Sequence, residues 1–312
     1  MIVHLNKSPK NPSRAVVIGA NGFVGNSITE ELAKQKIETL GLGRPELDLL
    51  NEDSATELRR VLKGGDVLII AAAKAPVRDF AMFLDNLKML HPIILAAHKV
   101  SLSHIIYISS DAVYSDSIDP LVEESETNPL SEYASSKLLG EEYLKDSNSI
   151  IFRLGTLFGI SDQFSRVRLD LVVNILTAKA LMEKKISVFG GDQWRPLLHV
   201  KDVANAIDQT VDTSLNGIYN LHYKNYKIID IAEKIKEKIG DVEIDITPMS
   251  FEDARNYQVS SEKLEGESKF KAEIGLEQGI DEIYELILNN RIKDINDPRY
   301  SNQNFLKEHG VS

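Results

Sequence analysis

The chain has 312 residues, 43% of them hydrophobic and 27% charged, with a formal net charge of −11, seven histidines and no cysteine. Such a length suits one large domain or two intimately joined ones, and the lack of cysteine excludes disulfides, thiolate nucleophiles, zinc–thiolate sites and iron–sulfur clusters. The acidic balance and the lack of a basic stripe argue against a nucleic-acid partner, and the scattered histidines offer no HExxH-type spacing, so no metal is expected. No apolar run reaches the roughly 18 residues of a membrane span, and the opening MIVHLNKSPKNPSR has no signal-peptide core. A cytoplasmic protein without a membrane partner is therefore expected.

From residue 14, apolar runs of strand length alternate with segments of helical period. Residues 14–19 (RAVVIG) read as the first strand, 26–36 as a helix with Ile28, Leu32 and Ala33 on one face, and 37–41 as the second strand. A helix over 53–62, capped by Asn51 or Asp53, leads to 67–72 (VLIIAA), an apolar strand of the kind buried on both faces. Then come a helix over 82–98, a strand over 104–109 (HIIYIS), a polar loop over 116–130, a helix over 131–144 and a strand over 149–154 (SIIFRL). Beyond Gly159 the pattern is less regular, with a helix near 169–181 and a short strand over 186–189. The pair HVKDVANAIDQTV and GIYNLH looks able to return to the main sheet.

This alternation predicts an α/β protein built on a Rossmann-type, doubly wound parallel sheet. Residues 1–163 form the dinucleotide-binding domain, to which the chain returns at about 200–223. Residues 164–199 and 224–290 form a smaller α/β cap, with two helices expected in 224–290, and 291–312 a polar, peripheral extension.

Directly after the first strand stands Gly19-Ala20-Asn21-Gly22-Phe23-Val24-Gly25. The first glycine permits the turn, the second lets backbone approach a pyrophosphate, and the third allows close helix–strand packing while helix-terminal N–H groups face the anion. Gly19, Asn21, Gly22, Phe23, Val24 and Gly25 are therefore assigned to cofactor binding. An NAD site usually carries a carboxylate at the end of the second strand, but here the sequence is Gly41-Leu42-Gly43-Arg44. Arg44 could meet the 2′-phosphate of NADP(H); an arginine in a solvated turn before Pro45 is the plainer alternative. NADP(H) is accordingly favoured, with NAD(H) as the alternative. Asp48 and Leu49 are placed at the adenine edge, and Ala71, Ala72, Ala73 and Lys74 where a flat cofactor would lie against backbone.

Tyr133 and Lys137 stand at i and i+4 of one helix, within mutual reach. An ammonium beside a phenol favours the phenolate and brings a group with a free pKa near 10 toward the working range of an acid–base catalyst. Lys137 can also hold the nicotinamide ribose. Ser110 falls just beyond the carboxyl end of a parallel strand, where ligands of such sheets bind. Ser109 is its rival and is expected to end the strand.

With GANGFVG, ISSDAVY, YASSK, FRLGTLFG, VFGGDQWRPLLHVKDVANAI and GIYNLH in place, residues 14–290 resemble the extended short-chain dehydrogenase/reductases, the NAD-dependent epimerase/dehydratase family. The resemblance implies Ser110, Tyr133 and Lys137 as catalytic residues, a cap that binds substrate, and Asp111, Arg195 and Arg255 as substrate contacts, the two arginines at a nucleotide-sugar diphosphate. A salt bridge of Arg195 to Asp192 or Asp202 is the plainer alternative. Asn86 resembles the family's asparagine that braces the active-site loop.

Sugar dehydratases similar to this family carry Asp-Glu where this chain has Asp111-Ala112, so dehydration is disfavoured. Reduction of a 4-keto nucleotide sugar is the leading expectation, with 4-epimerisation as the alternative and a non-catalytic NADP(H) sensor as a minor one. The resemblance also implies a homodimer through the helices 82–98 and 131–144.

Overall fold

Parallel strands covered by helices on both faces must be apolar on both faces, and four short runs of this sequence meet that demand. In the computed structural model, which describes residue 12 and residues 14–77, 79–162, 164–248, 255–268 and 270–308, they are β1 (Ala15–Ile18), β3 (Val67–Ile70), β4 (His104–Ser110) and β5 (Ser149–Leu154). With β2 (Thr39–Leu42) and β9 (Gly217–Leu221) they form a parallel six-stranded sheet in the order β2-β1-β3-β4-β5-β9. The strand order reverses between β1 and β3, the place where open α/β sheets bind their ligands. The α/β fold with a parallel Rossmann-like sheet is as expected. The N-terminal residues 1–11 and residues 309–312 of the expected extension lie outside the described residues.

Alternate residues of each strand face opposite sides. Ala15, Val17, Val67 and Ile69 pack with Ile28 and Leu32 of α1 (Phe23–Lys34) and with Val203 and Ile207 of α6 (Val200–Thr210). Val16, Ile18, Leu68 and Ile70 pack with Leu58 of α2 (Ser54–Val61), Leu90 and Ile93 of α3 (Phe80–Ala97) and Leu144 of α4 (Glu132–Leu144). Helix α3 starts two residues earlier than its hydrophobic period indicates, because the Asp79 carboxylate accepts a hydrogen bond from Met82 N at 2.8 Å and caps it. With 18 residues and a mean hydropathy of 1.3, α3 is the one helix among the described residues long and apolar enough to cross a membrane. That corrects the reading that no apolar run has this length. Its buried residues, Leu90, Ile93, Ala96 and Ala97, face the sheet.

The smaller layer holds α5 (Val172–Glu183), α7 (Ile228–Ile239) and α9 (Leu276–Leu288), whereas α8 (Glu262–Ser268) packs its Leu264 into the core of the main sheet beside β9; three helices rather than two thus follow residue 224. Its strands are β6 (Thr156–Phe158), β8 (Trp194–His199) and β10 (Lys224–Lys227) in one sheet, and β7 (Lys185–Phe189) with β11 (Glu243–Thr247) in another. Strand β8, the WRPLLH stretch, was not legible as a strand, because five of its six residues are buried without alternation and one is Pro196.

The C-terminal segment is not peripheral. Its 3-10 turn (Pro298–Tyr300) and short helix α10 (Asn302–Glu308) lie against the cleft. Leu169 N donates to Tyr300 O, the Asn302 amide donates to Ala75 O in the loop after β3, and the Arg166 guanidinium bonds Asn302 and lies 4.1 Å from the Phe305 ring centroid.

Candidate active site

The glycine loop leaves β1 with Gly19 at φ +85°, a left-handed conformation that favours glycine. A Cβ at Gly19 would lie 2.7 Å from Ala72 N, and one at Gly25 would lie 2.1 Å from Gly19 O. The loops after β1 and β3 thus touch through bare backbone at Gly19, Ala71 and Ala72. A dinucleotide fits this cradle. Val24 packs against the core behind the loop, and the Phe23 ring lies 5.6 Å from the Arg168 guanidinium.

The turn after β2 makes contacts of its own. Arg44 Nε faces Asp48 Oδ2 at 3.4 Å, so two residues assigned to the cofactor pair with one another at the surface. Leu49 is buried in the core with Leu47 and Leu58. A carboxylate does stand at this turn: Glu46 accepts a hydrogen bond from Gly43 N at 3.0 Å, three residues past the position where the sequence lacked one. Asn21 packs over Gly43, where a Cβ would meet its amide at 2.1 Å.

Lys74 is also engaged elsewhere. Its ammonium pairs with Asp85 at 2.7 Å, and its backbone N–H and carbonyl are taken by the Asn86 side chain at 2.7 and 3.0 Å. Asn86 thereby ties α3 to the loop after β3, the bracing position expected of it.

Ser110 ends β4, and its hydroxyl oxygen accepts from Ala112 N at 3.2 Å. Strand alternation sends Ser109 the other way, where it is buried and donates to Glu141. Of the two serines, Ser110 is the one left partly exposed at the end of the strand. On α4, Lys137 is buried and donates to Ile108 O at 2.7 Å, with its Nζ 5.0 Å from the Tyr107 ring centroid and 5.9 Å from that of Tyr133. Burial lowers the Lys137 ammonium to about 8. Burial pushes the Tyr133 phenol up to about 12; the guanidinium charges of Arg168 and Arg255 pull it back and the Asp111 carboxylate pushes it further. The charges acting on the phenol therefore come from three residues remote in sequence, and no motif singles out Arg168.

Asp111 is buried directly after Ser110, with Oδ1 accepting from the Tyr257 hydroxyl at 3.0 Å. Arg195 is buried too, donating from Nη1 to Trp194 O at 2.8 Å and to Arg255 O. The alternative partners of Arg195 are engaged otherwise: Asp192 with Lys227 at 3.0 Å, and Asp202 with the backbone N–H groups of Glu273 and Ile274 at 3.1 and 2.8 Å. The structure therefore gathers Ser110, Asp111, Tyr133, Arg195 and Arg255 at one end of the cleft.

Beneath this floor lies an ion pair that sequence reading missed. Arg153 bonds both oxygens of Glu141, at 2.7 to 3.1 Å, and also the Tyr114 hydroxyl at 2.8 Å, which in turn donates to Asn220 Oδ1 at 2.8 Å. It joins α4, β4, β5 and β9 just below Ser110 and Lys137. The only available signal was a charged residue inside each of two otherwise apolar or helical runs.

Residues 15–221 match the NAD dependent epimerase/dehydratase family. The chain is 29% identical over 224 residues to methionine adenosyltransferase 2 subunit beta of Xenopus tropicalis, a match spanning 66% of this chain and 66% of that relative. It is 27% identical over 229 residues to the uncharacterized UDP-glucose epimerase YtcB of Bacillus subtilis, over 62% of this chain and 71% of the relative. Among solved structures, UDP-glucuronic acid 4-epimerase from Bacillus cereus, in complex with UDP-glucuronic acid and NAD, superposes with a TM-score of 0.76 at 20% identity. That superposition covers 89% of this chain and 99% of that one.

Proposed function

The chain belongs to the NAD dependent epimerase/dehydratase family, and from that premise we propose that it transfers a hydride between a nicotinamide dinucleotide and the C4 carbon of a nucleotide-linked sugar. The observation that carries this reading is the placement of the buried Lys137, which bonds Ile108 O two residues before Ser110, lies 5.9 Å from the Tyr133 ring centroid and lines one cavity with Ala72 and Ala73 of the loop after β3. The backbone from Gly19 to Gly25, with Ala71 and Ala72, would hold the dinucleotide. When bound, it would supply the carbon that gives or takes the hydride. Tyr133 donates its proton to the sugar oxygen during reduction and takes it back in the reverse direction. Ser110 holds that oxygen in line, and the buried Lys137 stands ready to exchange Ile108 O for ribose hydroxyls.

Reduction of a 4-keto sugar is the first form of the proposal, with Ala112 removing the carboxylate that dehydration would use. A specific observation favours the second form, 4-epimerisation with retained NAD. Glu46 puts a carboxylate at the end of β2 while Arg44 is paired with Asp48, and a carboxylate there suits a ribose diol better than a 2′-phosphate. Purified protein separates the two. Stoichiometric consumption of added NADPH or NADH supports the reductase; conversion without added reductant, by protein that retains NAD through gel filtration, supports the epimerase. The relatives named as a subunit of methionine adenosyltransferase raise the third reading, a dinucleotide-binding protein without turnover, which gains only if no nucleotide sugar is converted. Exposed Leu95 on α3 with Leu139 and Tyr143 on α4 supports the expected homodimer.

A further inference from the structure

A buried carboxylate without a full set of partners is destabilising, and each such group in a folded protein calls for an explanation. Asp111 is one: it is 2% exposed and its Oδ2 is buried without a hydrogen-bond partner, while Oδ1 is held by Tyr257. The polar groups that face it come from every element packed around it. They are the Ser110 hydroxyl at the end of β4, the Tyr133 phenol on α4, Arg195 on β8, and Arg255 and Tyr257 from the segment 255–260. Two of these are cations, and both are the residues proposed to hold a diphosphate.

We propose that Asp111 takes up a proton when the diphosphate of a nucleotide sugar engages Arg195 and Arg255, so that substrate binding sets a neutral carboxylic acid beside Ser110. The inference rests on the nucleotide-sugar reading above. Burial pushes the Asp111 carboxyl up to about 7 while Arg255, Tyr257, Arg195 and the Ser110 hydroxyl pull it down. Phosphate oxygens at the two guanidinium groups cancel most of that pull and add negative charge of their own. The proton affinity of the carboxyl then rises. Its Oδ2, which has no donor to accept from, becomes an O–H that can donate to a sugar oxygen. The proton comes from solvent as the ligand binds, and no bond of the ligand breaks.

The sign of the effect fixes the test. Well below about pH 7 Asp111 is protonated in both states and nothing is exchanged; above it the free protein is ionised and the complex is not, so uptake approaches about one proton per site. UDP-glucose is a suitable probe because its diphosphate does not titrate near neutrality. Calorimetric titration of UDP-glucose into the full chain, in buffers of differing ionisation enthalpy, reads the protons exchanged directly. Uptake should rise from near zero at about pH 6 toward about one at about pH 8, and the Kd should weaken by up to about tenfold per pH unit above the midpoint. Asp111→Asn should bind without uptake and with a pH-flat Kd. Tyr257→Phe, which removes a donor that favours the carboxylate, should move the rise in uptake to higher pH.

Binding without proton uptake in the unsubstituted protein, or uptake undiminished in Asp111→Asn, overturns the inference and leaves the proposed function standing. If Asp111→Asn fails to fold, an unshifted profile in Tyr257→Phe overturns it equally. No binding of UDP-, GDP- or dTDP-glucose overturns the proposed function and this inference with it.

Discussion

One uninterrupted stretch, Gly19 to Gly25, makes the glycine-loop end of the cleft, whereas the opposite end is assembled from β4, β8, α4 and the segment 255–260. Tyr257 reaches Asp111 across 146 positions of sequence, and Arg195 reaches the Arg255 carbonyl across 60. The first end is made of backbone: close approaches at Gly19 and Gly25 that any larger residue would block. The second is made of charge, with buried arginines, a carboxyl and a phenol acting on each other at low dielectric. A backbone cradle is local and tolerates many neighbours, while a charge cluster depends on all its members at once.

Substitutions can break or sharpen this contrast. The largest effect should come where the two ends meet. Tyr133→Phe removes the proposed proton donor and should lower turnover by about 10²- to 10⁴-fold on every sugar the unsubstituted protein converts, with dinucleotide binding, read by fluorescence titration, unchanged. Equal turnover in that variant would remove Tyr133 from the chemistry.

Arg153→Met leaves the Glu141 carboxylate buried without its cation and should cost about 3–5 kcal/mol in denaturant unfolding. The double variant with Glu141→Leu should recover much of that loss, because the charge goes with its partner. Gly25→Ala sets a methyl group against Gly19 O and should cost about 1–3 kcal/mol. Dinucleotide affinity should fall while UDP-glucose affinity at the charged end holds, which is the contrast in its most direct form.

Asn302→Ala should cost about 1 kcal/mol and loosen the loop at Ala75 that its amide holds, measurable as faster amide exchange around residues 72–76. The smallest effect belongs to Arg44→Ala, which breaks an exposed pair worth up to about 1 kcal/mol. NADPH and NADH affinities should both stay within about fivefold, whereas a selective loss of NADPH would restore Arg44 as the 2′-phosphate ligand.

The sequence by itself determined the alternation that builds the parallel sheet, because apolar runs such as VLII and SIIFRL have no stable placement except between two helical layers. It determined the glycine loop and the Tyr133–Lys137 pair as well, since both are local patterns with fixed spacing. Tertiary structure supplied the buried partner of Ser109, the Glu141 carboxylate on α4, which spacing along the strand does not reveal. It also decided that Leu49 belongs to the core, that Lys74 serves α3, and that the C-terminal helix reaches Ala75. Above all it decided what surrounds Tyr133: the i+4 lysine is the neighbour spacing could reveal, whereas Arg168, Arg255 and Asp111 act on the phenol through space. Coulomb forces follow distance in the fold, and distance along the chain carries no record of them.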